Sequence, residues 1–296
     1  MGPNANAHNG GSRPKISALY LYPVKSCRGI ALQEAQLDEY GIAHDREWML
    51  VSPDGRFLTQ REHPGMALIT PELRPDALVL TAPGMPPLPL PLQGPLQKEA
   101  QARRRRVCIW RDEVGALDEG EGAAAWVSAL LGVRCRLVRR PPGPEFARRV
   151  PAPYAVSPGG DRVGFADGFP LLLLSQASLE DLNARLSEPV EMERFRPNVV
   201  VSGCGPYEED TWRAIAVGGI TLHAVKPCAR CTIPTVDPGT GERDPRGEPL
   251  RTLARYRRGP DGKVYLGQNL VHVPKRGTLR VGETVEILEI REEGLG

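Results

Sequence analysis

The chain has 296 residues, is 41% apolar and carries a formal net charge of +2, which suits one large or two modest domains and excludes a disordered chain. Near-neutral charge gives no overall pull toward a polyanion, and 4 Trp, 7 Tyr and 5 Phe supply few stacking platforms, so no nucleic-acid partner is expected. With no run of 18 apolar residues and no charged-then-apolar leader, neither a transmembrane helix, a signal peptide nor a membrane partner is expected, and the reading is a cytoplasmic globular protein.

Residues 1–13 are polar and rich in Gly and Asn, and read as a disordered N-terminus. Ile16 to Tyr22 alternates partly and reads as a strand ending at Pro23. Glu47 to Val51, then Ser52-Pro-Asp-Gly-Arg56, then Phe57-Leu-Thr predicts a hairpin with its turn at Pro-Asp-Gly. Leu88-Pro-Leu-Pro-Leu92 is an edge strand or an extended connector, because proline cannot donate to a ladder. Val107 to Trp110 is a further short strand, preceded by Arg103 to Arg106, which reads as a solvated lead-in or a basic docking patch.

Two helices are expected. Trp126, Val127, Leu130 and Leu131 share one face of a helix over 122–131 that Gly132 stops. In the second, Ser178 stands three residues before an acid as a cap, with Leu179, Leu182 and Leu186 as the buried stripe. Between them, residues 141–160 hold six prolines and three glycines, the best boundary in the chain. After Arg196 the pattern returns to strands: Asn198 to Ser202, Ile220 to Val225, and Thr284 to Ile290. Short strands, many turns and few helices predict a mixed α/β, β-rich fold of two barrel-like domains, over 14–140 and 161–290, rather than a doubly wound sheet.

The six cysteines at 27, 108, 135, 204, 228 and 231 are expected to be free thiols, one of them functional, because nothing marks a secreted chain. Lysine occurs only at 15, 25, 98, 226, 263 and 275, so each lysine is more informative than any of the numerous arginines. No phosphate-binding G-x-x-x-x-G-K-[ST], no G-x-G-x-x-G opening a helix, no G-x-S-x-G and no H-E-x-x-H is present. What remains is Lys226-Pro-Cys228-Ala-Arg-Cys231-Thr after the strand ending at Val225. Four readings compete for it. A structural zinc site lacks its other ligands, a zinc deaminase lacks His-x-Glu, and a redox dithiol lacks a following helix, since Pro234 and Pro238 intervene. Two thiols packing as small hydrophobes is the plainest.

The wider pattern adds to this. Tyr22-Pro-Val-Lys25-Ser26-Cys27-Arg-Gly, His44-Asp-Arg46-Glu-Trp48, Phe165-Ala-Asp167-Gly-Phe-Pro, Phe195-Arg196-Pro-Asn198-Val and Cys228-Ala-Arg-Cys231-Thr-Ile-Pro-Thr-Val-Asp237-Pro occur in order. With Ser175 to Asn183 and Ser202 to Trp212, they make the chain resemble the MOSC family over residues 14–290, on the branch of the mitochondrial amidoxime-reducing components and their bacterial relatives. The resemblance implies an N-terminal MOSC β-barrel domain followed by a MOSC domain. It implies a molybdenum cofactor, the metal held on a pterin dithiolene, with Cys231 as the protein ligand, and a soft thiolate suits that metal. It also implies that Lys25, Ser26, Arg46, Arg196 and Asn198 line the pterin and its phosphate. Asp167 joins them or serves only an Asp-Gly turn, Arg230 faces the cofactor or solvent, and Asp237 begins a turn that positions the cysteine loop.

The activity implied is reduction of hydroxylamines, amidoximes and N-hydroxylated bases, with the metal carrying the redox step and the protein supplying orientation and charge. No C-x4-C-x2-C cluster follows the last strand, so a separate ferredoxin-, flavodoxin- or cytochrome-like donor is expected. The alternatives are a carrier of the cofactor or of a persulfide, without turnover of a small molecule, and a plain binding module.

Overall fold

A computed structural model describes residues 13–93 and 103–291; the stretch expected to be disordered at the N-terminus falls, apart from Arg13, outside them. The fold is strand-rich, with three α-helices among the described residues, and its two larger sheets curl as half-barrels. The larger sheet has eight strands, in the order Ile30–Leu32, Lys15–Leu21, Val199–Ser202, Leu171–Ser175, Tyr265–Val273, Ile220–Ala229, Trp212–Val217 and Glu286–Ile290. All its pairs are antiparallel except that of Leu171–Ser175 with Val199–Ser202. The first strand of the chain is thus built into a sheet whose other long strands come from beyond residue 170. Its inner face gives a core that includes Ile16, Leu19, Leu21, Leu173, Val199, Ile215 and Leu270, where each large apolar side chain contributes about 1.5–3 kcal/mol.

The second sheet runs Trp48–Val51, Arg136–Arg139, Asp112–Asp118 and Arg104–Ile109. It shares a second core, with Trp48, Leu50, Met66, Leu78 and Leu137, with the helix Glu121–Leu131. That helix buries Ala123, Ala124, Trp126 and Val127 and stops at Gly132 in the left-handed region, φ 67°. Leu88–Pro91 is an edge strand, paired only to Ala77–Thr81 with both prolines exposed. The arginine run is not a lead-in: Arg104 to Arg106 form the first half of the strand Arg104–Ile109, and Arg105 pairs with Asp118 and Arg106 with Glu113.

Three further local expectations need correction. The second arm of the Pro-Asp-Gly hairpin is a single bridge, Val51 to Phe57, with Leu58 N donating to Leu50 O, not a strand. The cap of the helix Gln176–Asn183 is Ser175, whose side chain accepts from Ser178 N; Ser178 lies inside the helix and donates its hydroxyl to Glu209. The strand after Ile220 runs past Val225 to Ala229, bulging near Lys226 and Cys228. Pro227 stays in register with Gln268 between the two bulges, and the strand past His223 pairs on that side alone, so the missing N–H costs no ladder bond to the strand Trp212–Val217. Residues 141–160 fold back over the rest of the chain: Arg148 pairs with Asp112 and donates to Ala166 O, while Asp161 accepts from Val156 N, Ser157 and Lys275.

Candidate active site

A cleft of about 330 Å³ opens beside the large sheet, lined by residues of its strands Leu171–Ser175, Ile220–Ala229 and Tyr265–Val273 and by loops of both halves of the chain. Lys25, Ser26, Arg46, Asp167, Arg196, Asn198, Arg230 and Cys231 all line it. They come from five stretches of chain, 25–26, 46, 167, 196–198 and 230–231, brought together beside the end of the first strand.

Lys25 follows that strand, its backbone N donating to Trp48 O at 2.8 Å. Its side chain is buried, and Nζ donates to Phe165 O at 2.8 Å and Asp167 Oδ1 at 2.6 Å. Burial pulls the ammonium below its ordinary value, against the opposing pull of Asp167. Desolvation pushes the Asp167 carboxyl up, but the charge and hydrogen bond of Lys25 outweigh it and hold the group at about 2. Asp167 is therefore an ionised, exposed rim group that also accepts from Trp110 Nε1 at 3.1 Å.

Arg46 and Arg196 converge from opposite ends of the chain. Arg46 Nη1 pairs with Asp45 and donates to Asn198 Oδ1 at 3.0 Å, and its Nη2 reaches Arg196 O at 3.3 Å. Arg196 donates to Cys27 O through Nη1, while its buried Nη2 has no partner among the described residues. Burial, then the neighbouring Arg46 charge, lower Arg196 to about 10. Asn198 lines the cleft, but its amide is engaged with the chain: Oδ1 accepts from Arg46 and Leu172 N, and Nδ2 donates to Tyr20 O. It orients Arg46. Ser26, Arg46 and Arg196 all hold positive φ, at 63°, 46° and 57°, a conformation that non-glycine residues adopt at a cost and that gathers at functional sites.

The cysteines separate by environment. Cys27 is buried, and desolvation pushes its thiol up to about 12. Cys231 is exposed on the cleft wall. Cys228, on the strand end, accepts from Arg230 Nη1 at 3.1 Å. Arg230 also donates to Phe195 O at 2.7 Å, leaving Nε buried without a partner. Asp237 caps the turn that follows, accepting from Gly239 N, Thr240 N and Arg194 Nη2 at 2.7, 3.0 and 2.6 Å. Arg194 thereby ties the cysteine loop to the segment that ends at Arg196.

Residues 13–134 match the MOSC N-terminal beta barrel domain and residues 160–286 the MOSC domain. The mouse mitochondrial amidoxime-reducing component 1 is 37% identical over 286 residues, covering 92% of this chain and 82% of that protein. The rat component 2 is 36% identical over 284 residues, with 91% and 82% covered. Human component 1 is 35% identical over 285 residues, with 92% and 82% covered. The chain belongs to the amidoxime-reducing component family of MOSC-domain proteins.

Of the other residues that line the cleft, four polar or charged ones had no role in the sequence reading: Thr59, Arg61, Lys226 and Asn269. Lys226 carried a signal, as one of few lysines and next to the cysteine pair. Arg61 carried none, being one arginine among many. It lies over the indole of Trp110 at 4.6 Å. With these, six cations face the cleft, Lys25, Arg46, Arg61, Arg196, Lys226 and Arg230, against the single carboxylate of Asp167.

Proposed function

We propose that the chain is a molybdenum-cofactor-dependent reductase of N-hydroxylated compounds, taking electrons from a separate protein of ferredoxin, flavodoxin or cytochrome type in the cytoplasm. One observation carries the reading: an exposed thiol, Cys231, stands on the wall of a cleft whose cations outnumber its carboxylates six to one. The donor set fits the cofactor. Buried N–H groups of Arg196 and Arg230 without partners suit a phosphate and a polar ring system. Among the described residues no three His, Cys, Asp or Glu side chains gather as a metal-holding group, and the proposed protein ligand is the single exposed thiol of Cys231. No helix among the described residues is long and apolar enough to cross a membrane.

When bound, the cofactor supplies two-electron reduction. The residues of the chain do the rest. Cys231 holds the metal; Arg46 and Arg196, pinned by Asn198, Asp45 and Cys27 O, clamp the anionic end. Lys25 keeps Asp167 ionised at the rim, where a carboxylate attracts amidine-like and amine groups. The relatives' name, amidoxime-reducing component, supports that substrate class.

The test is elemental and pterin analysis of protein made in a host that synthesises the cofactor, beside Cys231→Ala. Near-stoichiometric molybdenum and reduction of benzamidoxime with a reduced donor protein are expected, with both lost in the variant. Zinc in place of molybdenum, or full turnover by Cys231→Ala, would overturn the reading. The exposure of Cys231 also favours a second reading, a persulfide or cofactor carrier; cyanide-releasable sulfur on a metal-free protein would establish it. Arg196→Ala is expected to lower cofactor occupancy roughly 10–100-fold, as a lost charge-assisted bond does, while turnover per molybdenum changes little.

A further inference from the structure

Tyr22 stands behind the cleft, wholly buried, and takes no direct part in lining it. Both guanidinium groups of the clamp lie over its ring, Arg46 at 4.5 Å and Arg196 at 4.3 Å from the centroid. The backbone of Tyr22 is fastened to the same unit: its N donates to Asp45 Oδ1 at 2.8 Å, and its O accepts from Arg46 N at 2.8 Å. Among the described residues its hydroxyl has no partner, so its contacts with the clamp are made by the ring. Burial pushes the phenol well above its ordinary range, and the neutral ring therefore presents its π-face.

Two arginines of like charge repel, and only Arg46 has a carboxylate, Asp45, in contact. An aromatic face attracts a cation through its quadrupole, by a margin that grows where water is excluded. From this geometry we infer that Tyr22 is a positioning residue for the anion clamp: its ring holds Arg46 and Arg196 side by side before the anionic group arrives. Gly29 serves the same end. A Cβ at Gly29 would come within 2.5 Å of Tyr22 Cε1, and the bare Cα leaves the ring its place. The inference rests on the cofactor reading for its natural ligand but not for its test.

The test uses the full chain with Tyr22→Phe, Tyr22→Leu and Gly29→Ala, and inorganic phosphate as the probe on cofactor-free protein, measured by calorimetry. Release of the pterin from cofactor-loaded protein, followed by fluorescence at 25 °C, is the second readout. Tyr22→Phe is expected to match the parent within about twofold, because the ring stays. Tyr22→Leu and Gly29→Ala are expected to weaken phosphate binding and speed pterin release roughly tenfold. A role in packing alone would lower the melting temperature and leave the phosphate affinity of the folded protein unchanged, which would overturn the inference. Should Tyr22→Leu fail to fold, Gly29→Ala decides, since it displaces the ring without hollowing the core. Parent protein that binds no phosphate also overturns it. Parent protein that binds phosphate but carries no molybdenum or pterin removes the cofactor reading and leaves the Tyr22 inference standing on the phosphate comparison.

Discussion

Left-handed backbone at Ser26, Arg46 and Arg196 aims three side chains into one cleft from three different turns. Each such residue stores on the order of 1–3 kcal/mol of strain, which the surrounding hydrogen bonds hold in place. Arg196 adds the burden of a buried cation beside another cation. Arg196→Gly and Arg196→Ala both remove the charge, but only glycine relaxes the backbone. We expect the glycine variant to be more stable by about 1 kcal/mol in urea unfolding, with both equally poor at holding an anion. Equal stability would show that the φ of 57° is not strained. Nothing in a linear sequence reports such handedness. The motif Phe195-Arg196-Pro-Asn198 points to a ligand, but not to the fact that Asn198 serves Arg46. Arg61 was hidden by abundance, since a residue type used everywhere on the surface gives no contrast at a site.

At the scale of elements, the two longer helices and the strands near Ile16, Glu47, Asn198 and Ile220 were legible from periodicity, while Leu171–Ser175, Trp212–Val217 and Tyr265–Val273 were not, and the ends of the rest were set by contacts the sequence does not display. Ser175 and Ser178 are both credible caps. Ser175 takes the role because the strand Leu171–Ser175 ends there, and Ser178 instead turns to the buried Glu209. The strand through Cys228 outran Pro227 because a neighbouring strand, Tyr265–Val273, accepted its bulges. That neighbour carries a titratable lock. His272, wholly buried, has Nε2 2.7 Å from Asp38 O on the strand Glu34–Asp38, and Lys275 with Asp161 stands close by. Burial lowers it to about 4. Below the ordinary imidazole value of 6.5 the unfolded chain takes up a proton that the folded one refuses, so stability is full above pH 6.5 and falls between there and pH 4. The loss amounts to about 3 kcal/mol. His272→Gln should flatten that part of the curve in urea titrations from pH 7 to 4.5; an unchanged slope would place the proton uptake elsewhere. In the same strand Gly267 has φ 81°, and a Cβ there would meet Leu173 O at 2.6 Å. Gly267→Ala is therefore expected to lower stability by more than about 1 kcal/mol, read as a fall in melting temperature.

For the whole molecule, the cleft lies at a seam. Lys15–Leu21 pairs with Val199–Ser202, and Gly277–Arg280 pairs with Glu34–Asp38, so each half of the chain completes a sheet of the other. A fragment of residues 141–296 would bare the edge of Val199–Ser202 and part of the main apolar core. It should not show a cooperative melting transition alone, and should gain one when residues 1–140 are supplied in trans. A sharp transition of the isolated fragment would refute this.

That seam also sets a timetable. During synthesis Lys15–Leu21 leaves the ribosome on the order of 10–40 s before its partner strand is made. For that interval an apolar strand waits without its ladder. The last side chain to line the cleft, Asn269, comes later still. A ligand that touches the whole of this cleft is therefore loaded only after residue 269 has been made, long after the first strand has emerged.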